Sequence, residues 1–189
     1  MNKSKNASAW TEQGYALFAE EGRDGIQVER LARMLQLNKS GFYHYFGDME
    51  VYGAEMLKLH DSKVDHFLRD VKAINSIDPE YLLLLIKHAP MVMFQVQLTR
   101  GANNPAFYHA SEMVDQKVDL AVRRLWGDFF GLQRNSELAQ RCHYVVRDMF
   151  YARMNAQRLT YEFLHNFVTA TKRMVTQLKQ QQLLETNDL

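Results

Sequence analysis

The stretch Asn38-Lys39-Ser40-Gly41-Phe42-Tyr43-His44-Tyr45-Phe46, NKSGFYHYF, decides how the N-terminal part of the chain folds. The segment before it, Val28–Leu35, carries apolar residues at helical spacing, and only Gln36-Leu37-Asn38 separates this segment from the helix predicted to begin at Lys39. Two short helices joined by a turn of this length form a helix-turn-helix. Asn38 is predicted to cap the second helix by accepting a backbone N–H.

The rings of this stretch divide between two faces of the second helix. Phe42 and Phe46 are four residues apart and are predicted to share the buried face. Helical rotation turns the polar members outward, and these are Lys39, Ser40, Tyr43 and His44. A second helix with such an N-terminal end suits the DNA major groove, and both a lysine and a helix N-terminus favour phosphate.

Composition sets limits on the rest of the protein. The 189 residues are 47% hydrophobic and 24% charged, which is typical of one globular domain with a small appendage. The net charge of +1 gives no general attraction to nucleic acid or membrane, so any charged surface is local. The single cysteine, Cys142, excludes an internal disulfide framework and fits a reducing compartment.

The sequence predicts neither secretion nor membrane insertion. Residues 1–9 are polar and no apolar signal core follows. The longest apolar run, residues 81–86, falls far short of the roughly 20 residues that a membrane span needs. We therefore expect a cytoplasmic protein with no membrane partner.

The fold is predicted to be all-α, because apolar residues recur at helical spacing and only three prolines and nine glycines occur. Three short helices precede several long ones. The predicted helices span 7–21, 28–34, 39–46, 49–72, 79–99, 105–130, 136–157 and 160–184.

Prolines mark helix boundaries in this pattern. Asp78 and Asn104 each precede a proline and are predicted to cap the helix that starts there. Pro90 lies inside an apolar helical run and removes one backbone N–H. A kink is therefore expected near His88.

Further segments extend the pattern around the opening stretch: Leu17–Gly22, Val28–Ala32 and Asp48-Met49-Glu50. Together they resemble the DNA-binding region of the tetracycline-repressor (TetR) family over roughly residues 8–60. The resemblance implies a helix-turn-helix DNA-binding domain at 1–48, followed by a larger helical ligand-binding and dimerisation domain at 49–189. It also implies a transcriptional regulator that binds a double-stranded DNA operator as a homodimer, and a repressor that is released by a small apolar or amphipathic effector.

The family pattern assigns DNA contacts residue by residue. Lys39, Ser40 and Gly41 occupy the helix entrance that meets DNA, Tyr43 and His44 match positions that contact backbone or bases, and Tyr45 matches a further contact position. Other positions depart from the pattern. Gln36 replaces a turn glycine, Gln27 replaces a Ser/Thr cap, and Met49 replaces a basic residue. A left-handed Gln36 would carry strain of about 1–2 kcal/mol.

Charge in the N-terminal part favours modest DNA affinity. Residues 1–60 contain seven Lys or Arg and eight Asp or Glu, so their net charge is 7 − 8 = −1. Since phosphate neutralisation drives non-specific binding, we expect a shallow salt dependence. This balance keeps an alternative open, a helical ligand-sensing or protein-interaction dimer with weak DNA affinity.

The last two predicted helices are apolar over too wide a sector for one buried side. We predict that both pack inward and against a second subunit, as the resemblance also implies. The alternative is a thick monomeric core. The predicted dimer interface consists of Leu164, Phe167, Val168, Thr171, Val175 and Leu178.

An effector pocket is predicted near the Pro90 kink, where methionines and aromatic residues are frequent. Methionine adapts to irregular space, and apolar pockets with a few polar groups bind small molecules. The candidate lining residues are His88, Met91, Phe94, Gln95, Tyr108, Met113, Trp126, His143 and Arg147.

The sequence gives little support for an enzymatic function. Glu162 and His165 have the Glu-x-x-His spacing of diiron bundles, but that motif is needed twice and occurs once. Glycine-rich phosphate loops, His-Glu-x-x-His pairs and paired-cysteine motifs are absent from the sequence. We therefore expect no catalytic residues, no metal site and no cofactor.

Overall fold

The protein is described by a computed structural model that covers residues 3–132 and 137–187. Within these ranges, the side chains of residues 3–5, 178, 179 and 181–187 are outside the description. The described chain is helical and contains no strand, which confirms the all-α prediction. The α-helices are α1 (Lys3–Glu21), α2 (Val28–Leu35), α3 (Lys39–Phe46), α4 (Met49–Val71), α5 (Leu82–Lys87), α6 (Ala89–Arg100), α7 (Pro105–Phe130), α8 (Glu137–Arg153) and α9 (Tyr161–Asn187).

The predicted helix at 79–99 is interrupted at His88, as Pro90 indicated. His88 adopts φ −102° and ψ 28°, and α6 begins after it with proline in its first turn. The His88 carbonyl accepts hydrogen bonds from the N–H groups of Met91 and Val92, at 2.9 and 3.1 Å. The break therefore retains backbone hydrogen bonds on its C-terminal side.

The two predicted proline caps have different outcomes. Asn104 caps α7, because its side chain accepts from the N–H groups of Ala106 and Phe107. The cap predicted at Asp78 is wrong: this residue lies inside a wider turn, Ile77–Tyr81, that precedes α5. The carboxylate of Asp78 instead bonds Tyr161 and His165, two residues of α9. A long-range contact thus replaced the local cap, which sequence spacing does not reveal.

The described chain divides into two compact units. Unit 1 comprises Met1–Phe67 and His88–Asp115, and unit 2 comprises Leu68–Lys87 and Gln116–Leu189. These borders reflect packing, so they do not test the predicted functional division at residue 48, which stays a prediction.

Unit 1 is organised around α6, which is buried nearly all round from Met91 to Val96. Helix α1 packs along it. The ring of Phe94 stacks on Tyr15 with centroids 4.2 Å apart and contacts Phe18 at 4.4 Å. A helix that is apolar on every side is expected at the centre of a core, and α6 takes that position.

Unit 2 has an aromatic centre on α7. Trp126 is buried, and its indole stacks on Phe130 and on His143 of α8, with centroids 5.4 and 5.3 Å apart. Helix α9 packs against α5 and α8 and buries Leu164 and Val168.

No single helix in the described residues is long and apolar enough to cross a membrane. The segments Ile77–Lys87 and Ala89–Arg100 reach the required length and hydropathy only when they are taken together across their break.

Candidate DNA-binding site

The turn between α2 and α3 has the backbone pattern of a Schellman motif. The Leu37 N–H donates to the Ala32 carbonyl at 2.9 Å, and the Gln36 N–H donates to the Arg33 carbonyl at 3.3 Å. Gln36 has φ 54° and ψ 39°, which is the left-handed conformation that glycine adopts without strain. The turn therefore keeps its geometry despite the glutamine.

Helix α3 begins as the sequence predicted. The Asn38 side chain accepts from the Ser40 N–H at 3.0 Å and caps the helix. Gln27, at the start of α2, makes no such bond through its side chain. Asp48 caps the following helix, accepting from Glu50 and Val51 at 2.8 and 2.9 Å. Side-chain caps thus fix the starts of α3 and α4.

A cluster of rings buries the inner face of α3. Phe42 is fully buried, with its ring 5.5 Å from Trp10 of α1 and 4.9 Å from Tyr52 of α4. Phe46 contacts Tyr52 at 4.8 Å. These four residues, Trp10, Phe42, Phe46 and Tyr52, are called the ring core below. The ring core confirms the predicted division between buried phenylalanines and outward polar groups.

A close approach of α1 and α4 completes the ring core. The Tyr52 hydroxyl donates to the Trp10 carbonyl at 2.7 Å. A methyl group added to Gly14 would lie 1.8 Å from that hydroxyl oxygen, so only glycine fits. The sequence gave no signal of this contact.

The outer face of α3 carries the predicted DNA-contact residues. Lys39, Ser40, Tyr43 and His44 are exposed, whereas Gly41 and Tyr45 are half-buried. Tyr43 is 48% exposed although its ring is large. The structure therefore brings all six predicted residues onto one short helix, with the four polar ones open to solvent.

Charges next to this face are paired within the chain. Lys39 of α3 forms an ion pair with Glu29 of α2, and Arg30 binds Glu21 through two hydrogen bonds of 2.6 Å each. Hydrogen bonding to Glu29 raises the pKa of Lys39, so the ammonium stays charged. Because Glu29 occupies the lysine, a phosphate must compete with it.

The predicted effector residues fall in both compact units. His88, Met91, Phe94, Gln95, Tyr108 and Met113 belong to unit 1, and Trp126, His143 and Arg147 belong to unit 2. Tyr108 and Met113 are about half exposed, whereas Met91, Phe94 and Gln95 are buried.

The remaining three effector candidates meet in unit 2. Arg147 donates to Asp119 at 2.8 Å, and the nearest His143 nitrogen lies 3.5 Å from the same carboxylate. Burial, together with the nearby charges of Arg147 and Arg123, lowers the pKa of His143 to about 3. His143 is therefore neutral near pH 7.

Two open clefts occur in unit 1. The first has a volume of about 480 Å³ and lies between the C-terminal end of α1 and residues 97–107. The second has a volume of about 460 Å³ and lies between α1 and α4. Neither is lined by a predicted effector residue, so the predicted pocket stays a prediction.

Much of the predicted dimer surface is covered by its own chain. Leu164, Val168, Thr171 and Val175 are buried, Phe167 is half-buried, and the Leu178 side chain lies outside the description. Exposed apolar side chains occur elsewhere on α8 and α9, at Leu138, Val145 and Met174.

Comparison with known proteins supports the family resemblance. Residues 11–51 match the family model described as bacterial regulatory proteins, tetR family. That range begins within α1, contains α2 and α3, and ends at the start of α4. No curated protein and no solved structure matches the chain. Residues 11–51 therefore form a helix-turn-helix domain similar to that of the bacterial regulatory proteins of the tetR family, which supports a DNA-binding transcriptional regulator.

Proposed function

We propose that this regulator is a homodimeric repressor that leaves its operator when a small apolar or amphipathic effector binds. The observation that carries the DNA-binding part is the division of α3. Phe42 and Phe46 hold the helix on the ring core, while Lys39, Tyr43 and His44 face solvent. An exposed recognition helix with a charged and hydroxylated N-terminal half fits phosphate and base-edge contact.

A mobility-shift titration tests the DNA contact. The full chain is titrated against DNA from beside its own gene, in parallel with the double variant Lys39→Ala, Tyr43→Ala. We expect the double variant to bind at least tenfold more weakly, with a salt slope reduced by about one because one phosphate contact is lost.

The matched control is Lys87→Ala with Tyr161→Ala, which removes another ion-paired lysine and another exposed tyrosine outside the predicted DNA and effector sites. This control should bind DNA like the wild type. Equal binding by the α3 variant and the wild type would contradict the assignment of α3 as the reading helix.

We propose that the dimer forms through exposed apolar residues of α8 and α9 that lie beside the predicted interface. On α8, Leu138 is 46% and Val145 is 51% exposed, seven residues apart on one side of the helix. On α9, Met174 is 42% exposed and Phe167 is half-buried, also seven apart. Apolar side chains aligned in this way on two neighbouring helices indicate an interaction surface.

Sedimentation velocity tests this surface. Val145→Glu combined with Met174→Glu should convert the dimer to a monomer, because two charges would be buried without partners. Leu120→Glu, at a 66% exposed position on α7, is the control and should leave the assembly unchanged. A dimer that survives the double substitution would place the interface elsewhere.

A second candidate function is a ligand-sensing dimer with weak DNA affinity. The net charge of −1 over residues 1–60 and the Lys39–Glu29 pair favour it. No mobility shift at low salt by a protein that sediments as a dimer would support this candidate over the repressor. Native mass spectrometry of protein purified without added ligand tests for a retained small molecule in either case.

A further inference from the structure

A chain of buried hydrogen bonds crosses unit 1 beneath α1. The Tyr15 hydroxyl lies 2.8 Å from His60 Nδ1, and His60 Nε2 lies 3.1 Å from Gln95 Oε1. Gln95 Nε2 then donates to Asp115 Oδ1 at 2.9 Å and to the Ser111 carbonyl at 3.1 Å. We call these five residues the polar chain. All five are buried.

The direction of the hydrogen bonds in the polar chain is fixed by chemistry. A carbonyl and a carboxylate only accept, so the Gln95 nitrogen must face α7 and its oxygen must face His60. His60 Nε2 therefore carries the proton, which leaves Nδ1 to accept from the Tyr15 hydroxyl. Burial lowers the pKa of His60 to about 4, in agreement with this neutral form.

Each main link of the polar chain belongs to a different helix. Tyr15 lies on α1, His60 on α4, Gln95 on α6 and Asp115 on α7. Helix α1 belongs to the helix-turn-helix domain, since Trp10 packs on Phe42 of α3. The polar chain thus connects the DNA-binding helices to two helices of the region predicted to sense the effector.

These bonds respond sharply to displacement. Their lengths of 2.8–3.1 Å leave little margin, and a shift of about 1 Å takes a hydrogen bond out of range. A buried polar group that loses its partner destabilises the fold. When one helix moves, its neighbours in the polar chain must therefore move with it, or their hydrogen bonds break as well. Apolar contact beside the polar chain, between Tyr15 and Phe94, is less selective for position.

We propose that the polar chain transmits displacements of α6 and α7 to α1, and so sets the position of the reading helix for DNA. This inference rests on the proposed function for its regulatory meaning, since the effector supplies the displacement. The link itself is a property of the folded chain. It is therefore testable without DNA or effector.

Hydrogen exchange of the full chain, followed by mass spectrometry, provides that test. Asp115→Asn alters the α7 end of the polar chain. Ser111→Ala is a second variant at the same end, because it removes the Ser111 hydroxyl, which accepts from Gln95 Nε2 at 3.2 Å. We expect either variant to raise amide exchange in α1 at least fivefold. In a Gln95→Met background, where the middle link is cut, the same substitution should change α1 exchange less than twofold.

Val96→Ala is the matched control, since Val96 is fully buried next to Gln95 and its truncation breaks no hydrogen bond. It should not raise exchange in α1 selectively. Exchange changes confined to α7, or effects of Asp115→Asn and Gln95→Met that simply multiply, would overturn the proposal.

A DNA titration of Asp115→Asn adds the regulatory readout. We expect its DNA affinity to change at least threefold, although Asp115 lies outside the helix-turn-helix. Unchanged affinity in a variant that binds DNA would overturn the regulatory role. Absence of DNA binding by the wild type would instead count against the proposed function, and the exchange data would still decide the link.

Discussion

The ring core and the polar chain both fix α1, but by different physics. The ring core joins Trp10, Phe42, Phe46 and Tyr52 by contacts of aromatic rings, which tolerate small adjustments of angle and distance. The polar chain joins its residues by hydrogen bonds, which fail after a small shift. The comparison indicates that the ring core supplies stability to the DNA-binding helices, whereas the polar chain specifies where they lie.

The largest predicted effect breaks the ring core at its tightest contact. Gly14→Ala places a methyl group 1.8 Å from the Tyr52 hydroxyl oxygen, so the ring must move and lose its bond to Trp10. We expect the free energy of unfolding to fall by about 3 kcal/mol, as overpacking and a lost buried hydrogen bond combine. Urea denaturation measures this change.

Two variants control for that prediction. Gly53→Ala on α4 meets no atom within 4 Å and should stabilise the protein, by up to about 1 kcal/mol. Tyr52→Phe should partly restore the Gly14→Ala variant, because it removes the nearest clashing atom. An unaltered stability of Gly14→Ala would show that α1 and α4 are not as close as described.

The second prediction breaks the polar chain by acid. His60 has a pKa of about 4 when folded and 6.5 as its ordinary value, so the unfolded state takes up the proton first as pH falls. Stability is therefore retained above pH 6.5, lost between pH 6.5 and 4, and not reduced further by this group below pH 4. The contribution is about 3 kcal/mol.

Unfolding measured at a series of pH values, for the wild type and His60→Gln, isolates this contribution. Glutamine can donate to Gln95 and accept from Tyr15 without titrating. We expect the wild type to lose more stability than the variant between pH 6.5 and 4. Parallel curves would mean that His60 does not remain neutral in the fold.

The third prediction concerns the turn before α3, the helix that the ring core holds in place. Gln36→Gly relieves the left-handed conformation in the turn that positions α3. The relief of about 1–2 kcal/mol is partly offset by the greater freedom of glycine in the unfolded chain. We expect a net gain near 1 kcal/mol in thermal or urea unfolding, with exchange in α7 unchanged. A loss of stability would indicate that the glutamine side chain stabilises the turn.

The smallest predicted effect concerns the exposed ion pair of Glu29 and Lys39, whereas the ring core and the polar chain are buried. Glu29→Gln frees Lys39 and removes a negative charge that faces the DNA-binding surface. We expect DNA affinity to rise about threefold at low salt, with a steeper salt dependence, since one more lysine is available to phosphate. Glu55→Gln, which frees Lys58 from a similar pair, is the control. Weaker binding by Glu29→Gln would show that the pair orients Lys39 productively.

Sequence reasoning succeeded where a feature depends on near neighbours. The α2–α3 turn, the Asn38 cap and the buried side of α3 all follow from helical rotation and capping within a few residues. It failed at Asp78, whose carboxylate bonds α9 instead of its own helix. It also gave no warning of the contact between Gly14 and Tyr52, which are far apart in the chain.

The sequence by itself determined the helical architecture, the helix-turn-helix and its resemblance to the TetR family, because apolar periodicity, capping residues and a short motif are local properties. Only the tertiary structure decided that Tyr15, His60, Gln95, Ser111 and Asp115 form one buried chain. None of these residues stands out in the sequence of its own helix. Their hydrogen bonds exist only when four helices pack in one register, and packing of that kind is not encoded in any short segment.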